Sequence, residues 1–134
     1  MTSDYRRELT EIRQKQARES LNDARLLFEQ GGSERSVINR LYYSLFYSAV
    51  ALLQSKDLSS AKHSGVISLF DVHFTKSEQL PKWMSKFFHE IFDLRTETDY
   101  EVTQTPTRET VAELFSKPEK FIREIEGFLS NSER

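Results

Sequence analysis

The sequence contains no cysteine, and only four glycines and three prolines occur among its 134 residues. The missing thiols exclude a disulfide scaffold, a thiolate zinc site and a cysteine nucleophile. No long apolar run is present, so we expect no membrane-spanning segment. The opening residues, MTSDYRRELTEIRQ, lack the apolar stretch of a secretion signal. We therefore predict a cytoplasmic protein and, from its length, a single domain over residues 1–134.

Charges of the two signs are nearly balanced, with 19 Lys and Arg against 21 Asp and Glu and a net charge of −2. The isoelectric point is close to 6.0, whereas dedicated phosphate-backbone binders usually exceed about 9. This balance argues against such a binder but leaves room for a small basic pocket. No GxxxxGK[ST], GxGxxG, HExxH or GxSxG motif occurs. The three histidines, His63, His73 and His89, are scattered, so we predict no metal site and no cofactor.

Apolar residues recur at helical spacing along nearly the whole chain. They predict helices over residues 4–30, 34–54, 62–75 and 81–100, with a last helical stretch that Pro118 interrupts near Ser116. Gly31 and Gly32 are expected to end the first helix, and Ser33 to cap the second. The apolar stripe of the first helix comprises Leu9, Ile12, Ala17, Leu21, Ala24, Leu27 and Phe28. Short connections between such helices predict an all-α fold, an antiparallel bundle of four to five helices.

The second helix is apolar on almost every side, which is typical of a central helix. Asn39, Tyr43 and Tyr47 follow at steps of four and therefore share one face. One interpretation is an aromatic core whose hydroxyl groups reach the surface or a buried partner. The other is that Asn39 and Arg40 contribute polar groups to the same pocket as Arg95.

The segment LRTETDYE, residues 94–101, ends the fourth predicted helix and holds its most informative residues. Arg95 falls on an otherwise apolar row, where an arginine is costly unless it is paired. Asp99, one turn later, is the obvious partner. The pair is either a structural ion pair or an anion-binding arginine held by its aspartate, with Tyr100 beside it. His63, at the start of the third helix, is either a surface or supporting group or an acid–base catalyst.

The segments NRLYYSLFYSAVALL, KHSGVISLF and LRTETDYE together resemble the HEPN domain family (higher eukaryotes and prokaryotes nucleotide-binding), and most of all its small prokaryotic branch with an RxxxDY motif. The resemblance extends from about residue 17 to residue 129. It implies a helical bundle, commonly a homodimer. It also implies a ribonuclease toxin, or a relative of one, encoded beside a minimal nucleotidyltransferase that acts as its antitoxin.

Nuclease members of that family carry an Arg-x4-6-His motif, and Arg95 matches its arginine. No histidine follows at an allowed spacing, because those positions hold Tyr100, Glu101 and Val102. Val102 also occupies the place of the tyrosine that accepts adenylyl groups in some toxins. His63 is a hypothetical substitute from another helix.

Two functions follow for the chain. The first is a toxin paired with a nucleotidyltransferase, with possible metal-independent ribonuclease activity at Arg95, Asp99 and Tyr100 and with His63 as a further candidate. Asn39, Arg40, Tyr43 and Arg95 are then the candidate RNA- or nucleotide-binding residues. The second is a non-catalytic helical module that binds a nucleotide or a partner protein. A helical interaction domain without any ligand is a third possibility.

Overall fold

The computed structural model describes residues 3–100 and 105–132, and the regular structure in these two ranges is entirely helical. This confirms the prediction of an all-α bundle. The helices are α1 (Ser3–Glu29), α2 (Glu34–Ser55), α3 (His63–Phe70), α4 (Lys82–Tyr100), α5 (Arg108–Leu114) and α6 (Pro118–Ser132). None of these helices is long and apolar enough to cross a lipid bilayer.

Helix α2 lies at the centre of the bundle and packs against α1, α3, α4, α5 and α6. The sequence dictates this position, because one side of α2 carries Leu41, Leu45, Ala49 and Leu52, all fully buried. Its other side carries aromatic residues that are partly buried against the same core. A helix with two apolar sides is stabilised only when neighbours cover both.

Helices α1 and α2 form an antiparallel hairpin whose turn agrees with the prediction. Gly31 adopts a φ of +79°, a left-handed conformation that glycine tolerates without strain. The Oγ atom of Ser33 accepts a hydrogen bond from the backbone N–H of Ser36 and caps α2. At mid-length, Arg18 of α1 donates hydrogen bonds to Glu119 and Glu126 of α6. The hairpin is therefore tied to the C-terminal helix.

The third predicted helix lies where the sequence placed it, but only its first part is an α-helix. Residues 71–75 continue α3 as a π-helical turn, which the apolar spacing does not reveal. Asp71 in this turn contacts His89 of α4, with 2.6 Å between Oδ2 and Nε2. Thr75 meets Ser85 of α4 at 2.6 Å between hydroxyl oxygens. These side-chain contacts join the widened turn to the neighbouring helix.

The last helical stretch is divided as predicted. Helix α5 ends at Leu114, and Pro118 becomes the first residue of α6, where its missing N–H costs nothing. Thr107 caps α5 by accepting a hydrogen bond from the N–H of Thr110. One prediction for α1 is wrong: Ile12, assigned to the buried stripe, is half exposed.

Nearly all of the aromatic residues are used within the chain. Apart from Tyr5 and Tyr100, each of them is buried in the core or packed against it. The aromatic residues thus serve the packing of this one bundle, and the homodimer stays a prediction from the family resemblance.

Candidate functional site

Arg95 lies near the end of α4 with its guanidinium pressed into the bundle. Its side chain keeps 22% of its exposure, and its Nε lies 3.3 Å from Oδ2 of Asp99. That contact is an ion pair without hydrogen-bond geometry, because Nε is buried and has no hydrogen-bond partner among the described residues. The guanidinium also lies over the rings of Tyr42 and Tyr43, 4.8 Å and 5.4 Å from their centroids. Arg95 is thus fixed in place while part of its donor capacity is unused.

His63, the first residue of α3, lies against this arginine. Its Nδ1 atom is 3.3 Å from Nη1 of Arg95 and 3.0 Å from the hydroxyl oxygen of Tyr42. The imidazole is held by the ring of Phe46, 4.3 Å away between centroids, and by the edge of Tyr43. The packing of the bundle therefore brings Tyr42 of α2, His63 of α3 and Arg95 of α4 into contact.

The hydrogen bonds assign the protonation state of His63. An arginine only donates hydrogen bonds, so Nδ1 beside it must accept, and the proton of a neutral imidazole then lies on Nε2. Burial, and secondarily the charge of Arg95, lower the pKa of His63 below its usual value. At neutral pH His63 is therefore an uncharged donor through Nε2.

Tyr42 takes part as a donor and not as a base. Its side chain is fully buried, and burial raises the pKa of its hydroxyl well above the usual value, although the charge of Arg95 opposes this. The phenol stays protonated and donates to Nδ1 of His63, whose single lone pair it shares with the longer contact from Arg95. This hydrogen bond was not anticipated, because nothing in the sequence relates Tyr42 to a histidine 21 positions later.

An open cleft of about 580 Å³ lies in front of these residues. His63, Arg95, Asp99 and Tyr100 all line it. Tyr100 is 75% exposed, so its ring is available to a bound molecule and contributes little to the fold. All four candidate catalytic residues thus border one cleft.

The other candidate binding residues lie beside this cleft, not within it. Asn39 and Arg40 line a neighbouring depression of about 550 Å³, which meets the cleft at Asp99. Arg40 hydrogen-bonds to Asn39, and its guanidinium lies 5.0 Å from the centroid of Tyr43. Tyr43 therefore has Arg40 and Arg95 in contact with one ring.

Arg35, at the start of α2, was not among the candidates. It lines the same depression and donates from Nη2 to the main-chain oxygen of Asp99, at 3.4 Å. Three arginines, Arg35, Arg40 and Arg95, thus border the two connected depressions. The signal was available, since Arg35 lies in the first turn of α2, where the helix dipole favours anions.

Two positions named from the family motif, Glu101 and Val102, lie outside the described residues. Within the ranges that are described, no three His, Asp or Glu side chains gather in a way that would hold a metal ion. The side chains of the cleft themselves offer charge stabilisation by Arg95, proton transfer by His63 and Asp99, and stacking on Tyr100.

Comparison with known proteins agrees with this architecture. The model of the HEPN domain family matches residues 10–128. A Thermotoga maritima protein, designated a UPF0332 protein, is 38% identical over 94% of this chain and 95% of its own length.

Two relatives from Methanocaldococcus jannaschii have names that mention toxicity. "Putative toxin MJ0605" is 34% identical over 84% of this chain and 83% of its own length. "Putative toxin MJ0142" is 31% identical over 93% of this chain and 84% of its own length.

Proposed function

Because the chain belongs to the HEPN domain family, we propose that it is the toxin of a toxin–antitoxin pair and that it binds and cleaves RNA without a metal ion in the cleft of Arg95 and His63. The proposal includes a single domain over residues 1–134, a homodimer and a cytoplasmic location. The observation that carries it is the contact between Nδ1 of His63 and Nη1 of Arg95. The family motif lacks its histidine here, and we propose His63 of α3 in its place.

The charges around the cleft favour an anionic ligand. Arg35, Arg40 and Arg95 line it or its neighbouring depression, and Asp99 lines both. The side chain of Arg95 keeps 22% of its exposure and lines the cleft. An RNA phosphate would accept hydrogen bonds from the accessible part of its guanidinium, and charge-assisted bonds of this kind are stronger than neutral ones.

The cleavage that we propose transfers one phosphoryl group within the RNA. The 2′-oxygen attacks the adjacent phosphorus and the bond to the 5′-oxygen breaks, which yields a 2′,3′-cyclic phosphate and a 5′-hydroxyl. Asp99 accepts the proton of the 2′-hydroxyl, and His63 gives a proton to the leaving oxygen. Arg95 stabilises the charge that builds on the phosphate. Tyr100 offers its exposed ring to a base.

The lowered pKa of His63 is compatible with a role as an acid once RNA is bound. Burial, the larger cause of the lowered pKa, remains in the complex, but a phosphate next to Arg95 neutralises the smaller cause, the charge of the guanidinium. The same phosphate is itself an anion that stabilises a protonated histidine. Substrate binding therefore raises the pKa of His63 toward the value that proton transfer at neutral pH requires.

One observation favours a second candidate function, the non-catalytic binding module. Tyr42 and Arg95 both approach Nδ1 of His63, and Asp99 is engaged with Arg95. With these contacts, the only role of His63 and Asp99 would be to position Arg95. The chain would then bind RNA or a nucleotide at the same cleft without cutting it.

The partner that we propose is a minimal nucleotidyltransferase acting as antitoxin. It is expected from the family resemblance, and the two relatives named as toxins favour the same biological setting. Expression of this chain alone should then arrest growth, and co-expression of a nucleotidyltransferase encoded beside it should restore growth.

The test is incubation of the purified protein with total RNA and with tRNA in the presence of EDTA. Wild type is compared with Arg95→Gln and His63→Gln, and with His73→Gln as a control on the π-helical turn. We expect cleavage by wild type and by the control, and its loss in the other two variants. RNA binding without cleavage, lost in Arg95→Gln, would favour the non-catalytic module. A folded wild type that neither binds nor cuts RNA would overturn the ribonuclease function and would leave only a nucleotide as the ligand of the non-catalytic module.

A further inference from the structure

A pocket rich in cations lies at the end of the α1–α2 hairpin that is opposite its turn. It measures about 260 Å³ and is lined by the side chains of Arg6, Arg7 and Lys56. Its other lining residues are Ser3, Thr10, Ser55 and Leu129. None of the described residues that line this basic pocket is acidic, although Asp and Glu outnumber Lys and Arg in the chain. The basic pocket is therefore a local exception to the negative net charge.

The cations of the basic pocket are accessible to a ligand. Arg7 and Lys56 are exposed, and the side chain of Arg6 keeps 34% of its exposure. Arg6 has an acidic neighbour, Asp57, at 3.8 Å between Nη2 and Oδ2. An exposed pair of this kind contributes little to stability, so a phosphate can compete with Asp57 for the guanidinium. With Asp57 counted, three positive charges and one negative charge leave a charge of +2.

A second cavity, of about 250 Å³, lies between the basic pocket and the cleft. At one end Phe46 lines this cavity, and its ring contacts His63 of the cleft, with 4.3 Å between the ring centroids. At the other end Gln54 lines the cavity, and the next two residues of the chain, 55 and 56, line the basic pocket. The three depressions therefore follow one another along α2.

The segment that connects α2 to α3 takes the same course. Lys56 lines the basic pocket, Ser59 and Ser60 line the cavity, and His63 lines the cleft. Seven steps of extended chain span at most about 25 Å. A strand of several nucleotides can therefore occupy the basic pocket and the cleft at the same time.

Aromatic rings and cations alternate along this path. The cleft is lined by Arg95 and by the exposed ring of Tyr100. In the cavity, the guanidinium of Arg13 lies 5.9 Å from the centroid of Tyr47. The basic pocket then adds its three cations. Proteins that bind single-stranded nucleic acids combine positive charges along the backbone with rings on which the bases stack.

We propose that a single-stranded RNA occupies the whole path, with its reacting phosphate in the cleft, a base against Tyr47 in the cavity and a further phosphate in the basic pocket. The identity of this ligand rests on the proposed function. The path selects single strands, because the bases of a duplex are stacked on one another and cannot turn toward Tyr47. The basic pocket adds affinity without reading the sequence, since its cations contact the RNA backbone.

The first experiment compares two RNAs of different length, both 2′-O-methylated so that they are not cut. A single strand of about 12 nucleotides covers the path, whereas a dinucleotide fills the cleft alone. The double variant Arg7→Gln, Lys56→Gln removes two exposed cations from the basic pocket. It should weaken binding of the longer RNA at least tenfold, as measured by fluorescence anisotropy. The dinucleotide, followed through the ring signals of His63, should bind this variant and wild type equally.

The matched control is the double variant Lys15→Gln, Arg123→Gln. It removes two cations outside the path, whose side chains are 79% and 71% exposed, and it should bind the longer RNA like wild type. Each phosphate contact on a single strand adds about 0.7 to the slope of log affinity against log salt. The basic-pocket variant should therefore reduce this slope by about 1.4. Equal affinities for the two double variants would overturn the proposal.

Tyr47 tests the cavity between the two phosphate positions. Tyr47→Leu keeps an apolar side chain but loses the ring, and it should weaken binding of the longer RNA at least fivefold. Tyr47→Phe keeps the ring and should bind like wild type. A duplex of the same sequence should bind wild type at least tenfold more weakly than the single strand. Equal affinity of Tyr47→Leu and wild type, or of duplex and single strand, would overturn the path through the cavity.

The path and the proposed function fail in different ways. If Arg95→Gln loses RNA binding while the basic-pocket variant binds and cuts RNA like wild type, the path is wrong and the ribonuclease site is supported. If no RNA is cut but binding of the longer RNA depends on the basic pocket and on Tyr47, the path is supported and the ribonuclease function is wrong. If wild type binds RNA of neither length, the path is overturned together with RNA as the ligand of the cleft.

Discussion

Nδ1 of His63 lies 3.3 Å from Nη1 of Arg95, although the two residues are 32 positions apart in the chain. The contact requires α3 to begin beside the last turns of α4, with Tyr42 of α2 beneath both. It brings an arginine and a histidine together although no histidine follows the arginine in the sequence. The proposed chemistry depends on this meeting of elements.

Arg95 is expected to provide the main anchor for RNA phosphate. Hydrogen bonds to a charged group contribute about 1.5–3 kcal/mol, so Arg95→Gln should weaken RNA binding by roughly 10- to 150-fold. Arg95→Lys keeps the charge but loses the planar donors, and an intermediate loss is expected. Fluorescence anisotropy with a labelled RNA measures these affinities.

The control for this prediction is Arg123→Gln, which removes an arginine whose side chain is 71% exposed on α6. Its RNA affinity should stay close to that of wild type. If Arg123→Gln and Arg95→Gln weaken binding equally, the interaction is with general positive charge and not with the cleft.

His63 should make the stability of the fold depend on pH. Its pKa is lowered in the folded chain by burial and by Arg95, while the unfolded chain keeps a value near 6.5. In the interval between the two values the unfolded state binds more protons, so the free energy of unfolding decreases as the pH falls. Urea unfolding at several pH values between about 7.5 and 5 measures this slope.

His63→Gln should flatten that slope, because the variant has no imidazole to protonate. His73→Gln removes a histidine outside the cleft and should leave the slope close to that of wild type. An unchanged slope in His63→Gln would contradict the assignment of a lowered pKa to this residue.

Gly65 in α3 is expected to be intolerant of any side chain. A Cβ atom at this position would lie 1.9 Å from Oγ and 2.8 Å from Cβ of Ser60. Gly65→Ala should therefore force the preceding segment away from α3 and reduce the free energy of unfolding by about 1–3 kcal/mol. Chemical denaturation measures the loss.

A double mutant tests the cause of that loss. Ser60→Gly removes both clashing atoms, so Gly65→Ala should cost much less in the Ser60→Gly background than in wild type. Gly127→Ala is a control, since a Cβ there meets nothing within 4 Å, and it should be neutral or slightly stabilising. Equal costs in both backgrounds would mean that Ser60 is not the obstacle.

Much of the fold could be predicted because its signals are local. Gly31 ends α1, Ser33 caps α2, and Pro118 divides the last helical stretch at the expected place. Each of these residues acts on its own backbone within a few positions. The exposure of Ile12 was missed because helical spacing gives a stripe but not which edge of it the neighbouring helix covers.

The site was predictable only in part for the same reason. The ion pair of Arg95 and Asp99 joins positions four apart on one helix, so the sequence reveals it. The contacts of His63 with Tyr42 and Arg95 depend on how three helices pack, and no spacing encodes that. The π-helical turn likewise reflects the packing of Asp71 and Thr75 against α4.

The central claim is that Arg95 and His63 act on one RNA phosphate, and the pKa of His63 tests it most directly. The ring signals of His63 are followed by NMR across the pH range, with and without an RNA whose 2′-hydroxyls are methylated so that it is not cut. The account predicts that the free protein has a His63 pKa below 6.5 and that RNA raises it, while Arg95→Gln raises it in the free protein and reduces the further effect of RNA. A His63 pKa that saturating RNA leaves unchanged would contradict the claim.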